Sequence, residues 1–193
     1  MRDSEFATSY IRRLGDVWAG AEATDRCGDS LGFSNGIERF AGLVKQFAKK
    51  PNKLIFVGNG GSAAIASHQA IDYARTGNFP ALAFNDGALL TCLSNDLGYR
   101  QVFAKPLELL ATANDVLIAI SSSGQSDNIL AAVEQGARSQ CHVITMSAFT
   151  PDNPLRKLGD INFYLPTTAY GFAEIGHLAI CHCVLDGLMA KQL

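Results

Sequence analysis

Two short apolar runs, each leading into a loop of very small residues, constrain this chain more than anything else in it. Leu54-Ile55-Phe56-Val57 runs into Gly58-Asn59-Gly60-Gly61-Ser62, and Val116-Leu117-Ile118-Ala119-Ile120 runs into Ser121-Ser122-Ser123-Gly124-Gln125-Ser126. An uninterrupted apolar run of this length is the pattern of a strand buried on both faces, as found in parallel sheets covered by helices. Each loop leads into a segment of helical character. Small residues let backbone N–H groups approach an anion closely, and the helix N-terminus that follows adds partial positive charge. The serine hydroxyls supply further donors. One glycine-rich loop is a weak signal. Two such loops point to a phosphorylated ligand gripped from two sides.

The same alternation continues to the C-terminus. Strands are expected at Leu54–Val57, Ala81–Asn85, Val116–Ile120, His142–Met146 and Ile161–Leu165. Helices are expected at Ala63–Ala74, Gly87–Ser94, Phe103–Leu110, Asn128–Arg138, a short piece near Leu155, and Phe172–Lys191. This is an α/β pattern, a parallel sheet with helices on both faces. Right-handed crossovers then bring the strand C-terminal ends, and both loops with them, to one edge of the sheet. Before this core, residues from about Asp3 to Lys50 read as helical. Phe6, Tyr10, Ile11, Leu14, Val17 and Trp18 form one apolar face. After a Gly/Asp-rich break around Cys27 to Asn35, Ile37, Phe40, Leu43, Val44 and Phe47 form another. The first face packs either on its own sheet or on a second subunit. At 193 residues the chain reads as one domain, with helices over 1–50 and an α/β core over 51–193.

Composition excludes some classes of function. With 16 Lys and Arg against 18 Asp and Glu, a net charge of -2 gives no reason to expect nucleic acid or an acidic membrane as partner. No uninterrupted apolar run approaches the ~20 residues of a membrane span, and the first residues lack a secretory pattern. Cys27, Cys92, Cys141, Cys181 and Cys183 are odd in number and form no C-x-x-C pair. Reduced thiols and a cytoplasmic location are the expectation.

The polar residues add a second signal. His68 and Asp72 are four apart on the helix after the first loop and so share a face. Glu174 and His182 are eight apart on the last helix, roughly 80° apart around its axis and about 12 Å along it. They converge with His68 and Asp72 only by leaning toward a common point, or across a subunit boundary. Imidazoles and carboxylates together suit a divalent metal such as zinc, or proton exchange with a substrate. Each residue also has a purely structural reading. His68 can bond a backbone carbonyl, and Asp72 can be an ordinary exposed helix residue. Glu174 sits where a carboxylate complements a helix dipole. His177 and His182 lie in a run so apolar that buried, satisfied histidines are the default.

Gly58-Asn59-Gly60-Gly61-Ser62, His68, Ser94-Asn95-Asp96-Leu97-Gly98-Tyr99 and Ile120-Ser121-Ser122-Ser123-Gly124-Gln125-Ser126, in this order, resemble the sugar isomerase (SIS) domain and, more narrowly, the phosphoheptose isomerase group. The resemblance runs from about Ile37 to the C-terminus. It implies a three-layer sandwich around a five-stranded parallel, flavodoxin-like sheet, and a homotetramer with active sites at subunit boundaries. It implies that Ser62, Ser121, Ser122, Ser123 and Ser126 hold a sugar phosphate, with Asn59, Gly60, Asp96 and Glu174 also toward the substrate. It implies a metal and proton-transfer group at His68, Asp72, Glu174 and His182, with Asp72 and His182 catalytic and zinc as the metal. Two residue types depart from the family pattern, Asp72 for Glu and Glu174 for Gln. Asp is one methylene shorter, and a displacement of ~1 Å at a catalytic carboxylate can cost on the order of 100-fold in rate. Glu174 adds a negative charge. The family's arginine after the catalytic Glu has no match in register, Arg75 lying one position early. The Thr76-Gly77-Asn78-Phe79 loop is shorter than usual.

The implied activity is aldose–ketose isomerisation of a phosphorylated sugar, sedoheptulose 7-phosphate to D-glycero-D-manno-heptose 7-phosphate, through an enediol. Two other readings compete. A phosphosugar sensor or protein-binding SIS module, of the kind that associates with a bacterial replication initiator, would lack the carboxylate that this chain retains at Asp72. A dinucleotide-binding dehydrogenase would use Gly58-Asn59-Gly60-Gly61-Ser62-Ala63 as G-x-G-x-x-A, with Asp86 after the next strand. The second Ser-rich loop argues against that.

Overall fold

The computed structural model describes residues 3–193. Its central sheet is built from β1 (Glu22–Thr24), β2 (Leu54–Gly58), β3 (Ala81–Ala83), β4 (Val116–Ile120), β5 (His142–Ser147) and β6 (Ile161–Tyr164). The helices are α1 (Asp3–Ala19), α2 (Phe33–Phe47), α3 (Gly61–Arg75), α4 (Gly87–Leu97), α5 (Ala104–Leu110), α6 (Asp127–Arg138) and α7 (Tyr170–Met189), with single 3-10 turns at Tyr99–Gln101 and Pro154–Lys157.

Every residue of β2 and β4 is buried, as their uninterrupted apolar runs require. Side chains alternate across a strand. Leu54, Phe56, Ile118 and Ile120 therefore pack on one face with α2, α3 and α7, while Ile55, Val57, Leu117 and Ala119 pack on the other around Val102, Leu107, Ile129 and Val133. This gives three layers. The strand order is β1-β6-β5-β4-β2-β3, with all of β2 to β6 parallel. From β2 the chain goes to one side to make β3 and then to the other to make β4. The crevice between β2 and β4 is thus the topological switch point, where α/β sheets of this kind bind ligands.

The sheet has a sixth strand that the sequence reading placed in helical territory. β1 runs antiparallel to β6, pairing Glu22 with Tyr164, Ala23 with Phe163 and Thr24 with Asn162. Three residues are too few to show a strand period, and tertiary pairing creates this one. Asn162 Nδ2 donates to the Asp25 carbonyl at 3.0 Å, and Arg156 pairs with Glu22. At the other edge β3 stops at Ala83, two residues short of expectation. Asn85 instead turns its amide to the Ala63 carbonyl and to Ser67 Oγ, both at 2.8 Å.

α1 lies against α7, with the Tyr10 and Phe172 rings 4.6 Å apart, yet it leaves Phe6 and Ile11 exposed. α7 is 20 residues long and apolar enough, by length and composition, to pass for a membrane span, contrary to the expectation from uninterrupted runs. It is a core helix here. Ala173, Ile180, Cys181, Val184, Leu185 and Leu188 are buried against the sheet and its flanking helices.

Candidate active site

The loop from β2 to α3 and the loop from β4 to α6 face each other across the switch-point crevice. Asn59, Gly60, Gly61 and Ser62 of the first, and Ser121, Ser122, Ser123 and Ser126 of the second, line a cavity of about 240 Å³ together with Tyr170 and Glu174 of α7. Ser62, Ser121 and Ser122 are almost wholly buried. The Ser121 and Ser126 hydroxyls lie 3.1 Å apart, and Ser123 Oγ accepts from the Gln125 amide at 3.2 Å. The turn needs glycine at position 124. Its φ is +64°, and a β-carbon there would strike the Asn153 carboxamide. Asn153 is itself held by the turn after β5, donating to the Thr150 carbonyl at 2.8 Å and to Ser147 Oγ at 3.1 Å. The Leu155 amide then donates to the Gly124 carbonyl at 3.1 Å.

A pair of carboxamides ties the two loops together. Asn59 and Asn128 each donate to the other at 2.8 Å, and the Tyr99 hydroxyl donates to Asn59 Oδ1 at 3.1 Å. Among the described residues, the lining of the cavity has no Lys or Arg. Its attraction for an anion rests on hydroxyls, backbone N–H groups and the N-termini of α3 and α6.

A second centre lies further along α3 and α7. His68 Nε2 is 3.2 Å from Asp72 Oδ2, and the His68 and His182 rings are 5.4 Å apart between centroids. Ligand atoms of His68, Asp72 and His182 all lie within 4.8 Å of one another. Two imidazoles and a carboxylate at that spacing form a donor set that fits a divalent cation. The cluster is half open, the His68 side chain being 51% exposed.

Two residues lie elsewhere than expected: Glu174, expected in this cluster, and Asp96, expected toward the substrate. Glu174 lies in the serine cavity, its carboxylate so close over Gly61 that a β-carbon there would collide with it. The rise along α7 accounts for this, since eight residues separate Glu174 from His182 by about 12 Å. Asp96 sits on the last turn of α4, exposed, beside Asn95 Nδ2 at 2.8 Å and Cys92 Sγ at 3.5 Å. It is outside the cavity lining. α4 runs three residues beyond the expected Ser94, which carries Asp96 around with the helix. Asp86, the acidic residue of the dehydrogenase reading, caps α4 by accepting from the Leu89 amide at 3.0 Å.

Four site residues escaped the sequence reading: Gln69, Asn128, Asn153 and Tyr170. For Gln69 a signal was present. It interrupts the buried stripe Ile65, Ala66, Ala70 and Tyr73 on α3, and a polar residue in such a stripe needs a partner. That partner is His182, whose Nε2 lies 3.0 Å from Gln69 Nε2.

A flavodoxin-like sheet with a serine-lined anion cavity at its switch point is the architecture of phosphosugar-handling α/β proteins. The SIS domain family matches residues 32–148, and the chain belongs to that family. The phosphoheptose isomerase of Pelobacter propionicus is 38% identical over 162 residues, covering 79% of this chain and 82% of the relative. The solved phosphoheptose isomerase of Neisseria gonorrhoeae superposes with a TM-score of 0.82 at 26% identity, covering 95% of this chain and 97% of that one. That of Francisella tularensis gives 0.82 at 26% identity, covering 99% and 100%.

Proposed function

We propose that this chain is a phosphoheptose isomerase that interconverts sedoheptulose 7-phosphate and D-glycero-D-manno-heptose 7-phosphate. One observation carries the reading. The same two helices, α3 and α7, begin at the serine cavity and continue to the His68–Asp72–His182 cluster, so a sugar phosphate held at one end extends toward proton-transfer groups at the other.

The phosphate is assigned to Ser62, Ser121, Ser122, Ser123 and Ser126, with Asn59 and Gly60 beside it. Its binding energy orients the distant reacting carbons. Asp72 takes a proton from C1 of the ketose, giving the enediol, and the proton returns at C2. His182 serves the two oxygens, accepting the proton that leaves O1 and supplying the one that O2 gains. His68, Asp72 and His182 would hold a divalent metal, which we take to be zinc. When bound, it would polarise the substrate's carbonyl or hydroxyl. Glu174, in the cavity, is assigned to the substrate.

We further read residues 1–193 as one SIS unit that assembles as a homotetramer in the cytoplasm. Exposed Phe6, Ile11, Ile71 and Ile175, and an apolar groove of about 340 Å³ lined by Leu14, Trp18 and Ala179 among others, support burial against further copies. The half-open cluster supports completion by a neighbouring subunit. The five cysteines are unpaired with one another, which supports a reducing compartment.

The test is NMR of the zinc-supplemented protein with sedoheptulose 7-phosphate in deuterated buffer. An aldose product with solvent deuterium on carbon is expected. Binding without product or exchange would reject catalysis in favour of a phosphosugar sensor. Sedimentation equilibrium tests the tetramer, and a monomer at micromolar concentration would refute it.

A further inference from the structure

The parallel ladder between β2 and β4 ends at the pair of Gly58 and Ile120. Beyond it the two segments part, one into residues 59–62 and the other into residues 121–128. Among the described residues, no backbone hydrogen bond crosses from one loop to the other. Two side-chain bonds do, the reciprocal pair of Asn59 and Asn128 at 2.8 Å each. Asn128 lies on the first turn of α6, only 3% exposed and outside the cavity lining. A carboxamide buried beside Ile129 and Ala132 needs partners, and Asn59 supplies both a donor and an acceptor.

The pairing is symmetric. Turned over together, the two carboxamides make the same two bonds, and the Tyr99 hydroxyl beside Asn59 can bond either end. The tie therefore holds whichever way they face. Each of its ends is close to the anion-binding groups. Asn59 precedes Gly60, whose φ of +54° turns the chain into α3, and Ser62 soon after is buried in the cavity wall. Asn128 follows closely on Ser126, whose hydroxyl lies 3.1 Å from that of Ser121. A donor must come within about 2.7–3.2 Å of a phosphoryl oxygen to bond it. Donors on two opposite walls reach one phosphate only if the walls keep a fixed gap. We propose that Asn128 is a positioning residue for phosphate, which fixes that gap through Asn59 without touching the ligand. The proposal rests on the phosphate assignment above, but not on isomerisation.

The experiment measures binding of inorganic phosphate to the full chain by calorimetry, with the melting temperature recorded alongside. The variants are Asn128→Leu, Asn59→Ala and the two combined. Should Asn128→Leu fold poorly, Asn128→Ser stays polar but is too short to reach Asn59. Loss of Asn128 should weaken phosphate binding about tenfold, within the range for coupled neighbours. Asn59→Ala should weaken it at least as much, since it also removes a group beside the phosphate. Combining the two should cost less than about twofold beyond Asn59→Ala, because the pair is already broken. A residue that serves only the fold would lower the melting temperature and leave the phosphate dissociation constant of the folded chain unchanged. That result overturns the proposal, as does a double variant whose loss is the product of the single losses. An unsubstituted chain that binds no phosphate refutes the phosphate assignment itself, and the proposal falls with it.

Discussion

The two edges of the sheet treat their polar groups in opposite ways. At the edge where strands begin, the buried Asp115 carboxylate receives Lys53 Nζ at 2.7 Å and the Lys53 and Thr112 amides at 2.9 and 2.8 Å, with Asn52 Nδ2 further off at 3.4 Å. Both oxygens are used. At the edge where strands end, and on the helices leading away from it, Gln69 Oε1, Asn85 Oδ1 and His177 Nδ1 are buried without a partner among the described residues. The division is not perfect, since His142 Nε2, stacked on Phe47 near the first edge, and Thr24 Oγ1 on β1 are also buried and unpaired among the described residues. The first edge spends its bonding capacity on the fold, while the cavity at the second is lined by the hydroxyls of Ser62, Ser121, Ser122, Ser123 and Ser126.

Substitutions at the two edges should therefore separate activity from stability. The largest effect is expected at the ligand edge. Asp72→Asn keeps the shape and removes the base, so turnover should fall by about 10³-fold, within the range for general-base loss, with the melting temperature unchanged. A variant keeping a tenth of the original rate would remove Asp72 from the mechanism. The opposite edge should show the reverse. Asp115→Ala leaves Lys53 facing a buried void and should cost about 3–5 kcal/mol in urea unfolding, with KM of the folded fraction unchanged. A change in KM would mean that the edges are coupled through β2 and β4.

A smaller effect sharpens the picture of the cavity. Glu174 places a carboxylate over Gly61, at the start of α3, where a phosphate would otherwise have the helix N-terminus to itself. Removing that charge with Glu174→Gln should tighten binding of the sugar phosphate about fivefold at low salt, equal to ~1 kcal/mol of relieved repulsion, and calorimetry reads it directly. Weaker binding would show that Glu174 is needed as an acceptor for a sugar hydroxyl.

What could be read from the sequence follows from how local each cause is. Uninterrupted runs such as Val116–Ile120 announce buried parallel strands, and small-residue loops after them announce an anion site. Both patterns lie within a few residues. β1 is invisible because Glu22–Thr24 becomes a strand only by pairing with β6, some 140 residues later. The site divides in the same way. His68 and Asp72 share a face by helical spacing alone. The separation of Glu174 from His182 depends on where α7 lies relative to α3, which the 12 Å rise hinted at without fixing. Asp96 falls on the last turn of α4, which runs three residues past the expected Ser94, and the exact end of a helix is hard to read from sequence. Asn153 supports Gly124 across nearly 30 residues of chain, and no spacing rule connects them.

The last prediction concerns pH and a residue beneath the ligand edge. His177, on α7, is fully buried, and its Nε2 lies 3.2 Å from the Ser147 carbonyl oxygen. A carbonyl only accepts, so the ring's proton is on Nε2 and Nδ1 is bare. Burial disfavours the charged ring and pulls its pKa from 6.5 to about 4, and the bond to Ser147 only partly opposes this. Above about pH 6.5 the ring is neutral in both folded and unfolded chains and contributes no pH dependence. Between about 6.5 and 4 the unfolded chain binds a proton that the folded chain refuses. Stability therefore falls as pH falls, by about 1.4 kcal/mol per pH unit from this group. Below about 4 the folded chain takes the proton too, and the loss stops. The carboxylates titrate in the same range, so the informative quantity is a difference. Relative to His177→Gln, which keeps a donor for Ser147, the original chain should lose about 3 kcal/mol more between pH 7 and pH 4 in urea unfolding. A constant difference across that range would mean that His177 protonates as readily in the folded chain as in the unfolded one, and that the ligand edge is wetter than its burial implies.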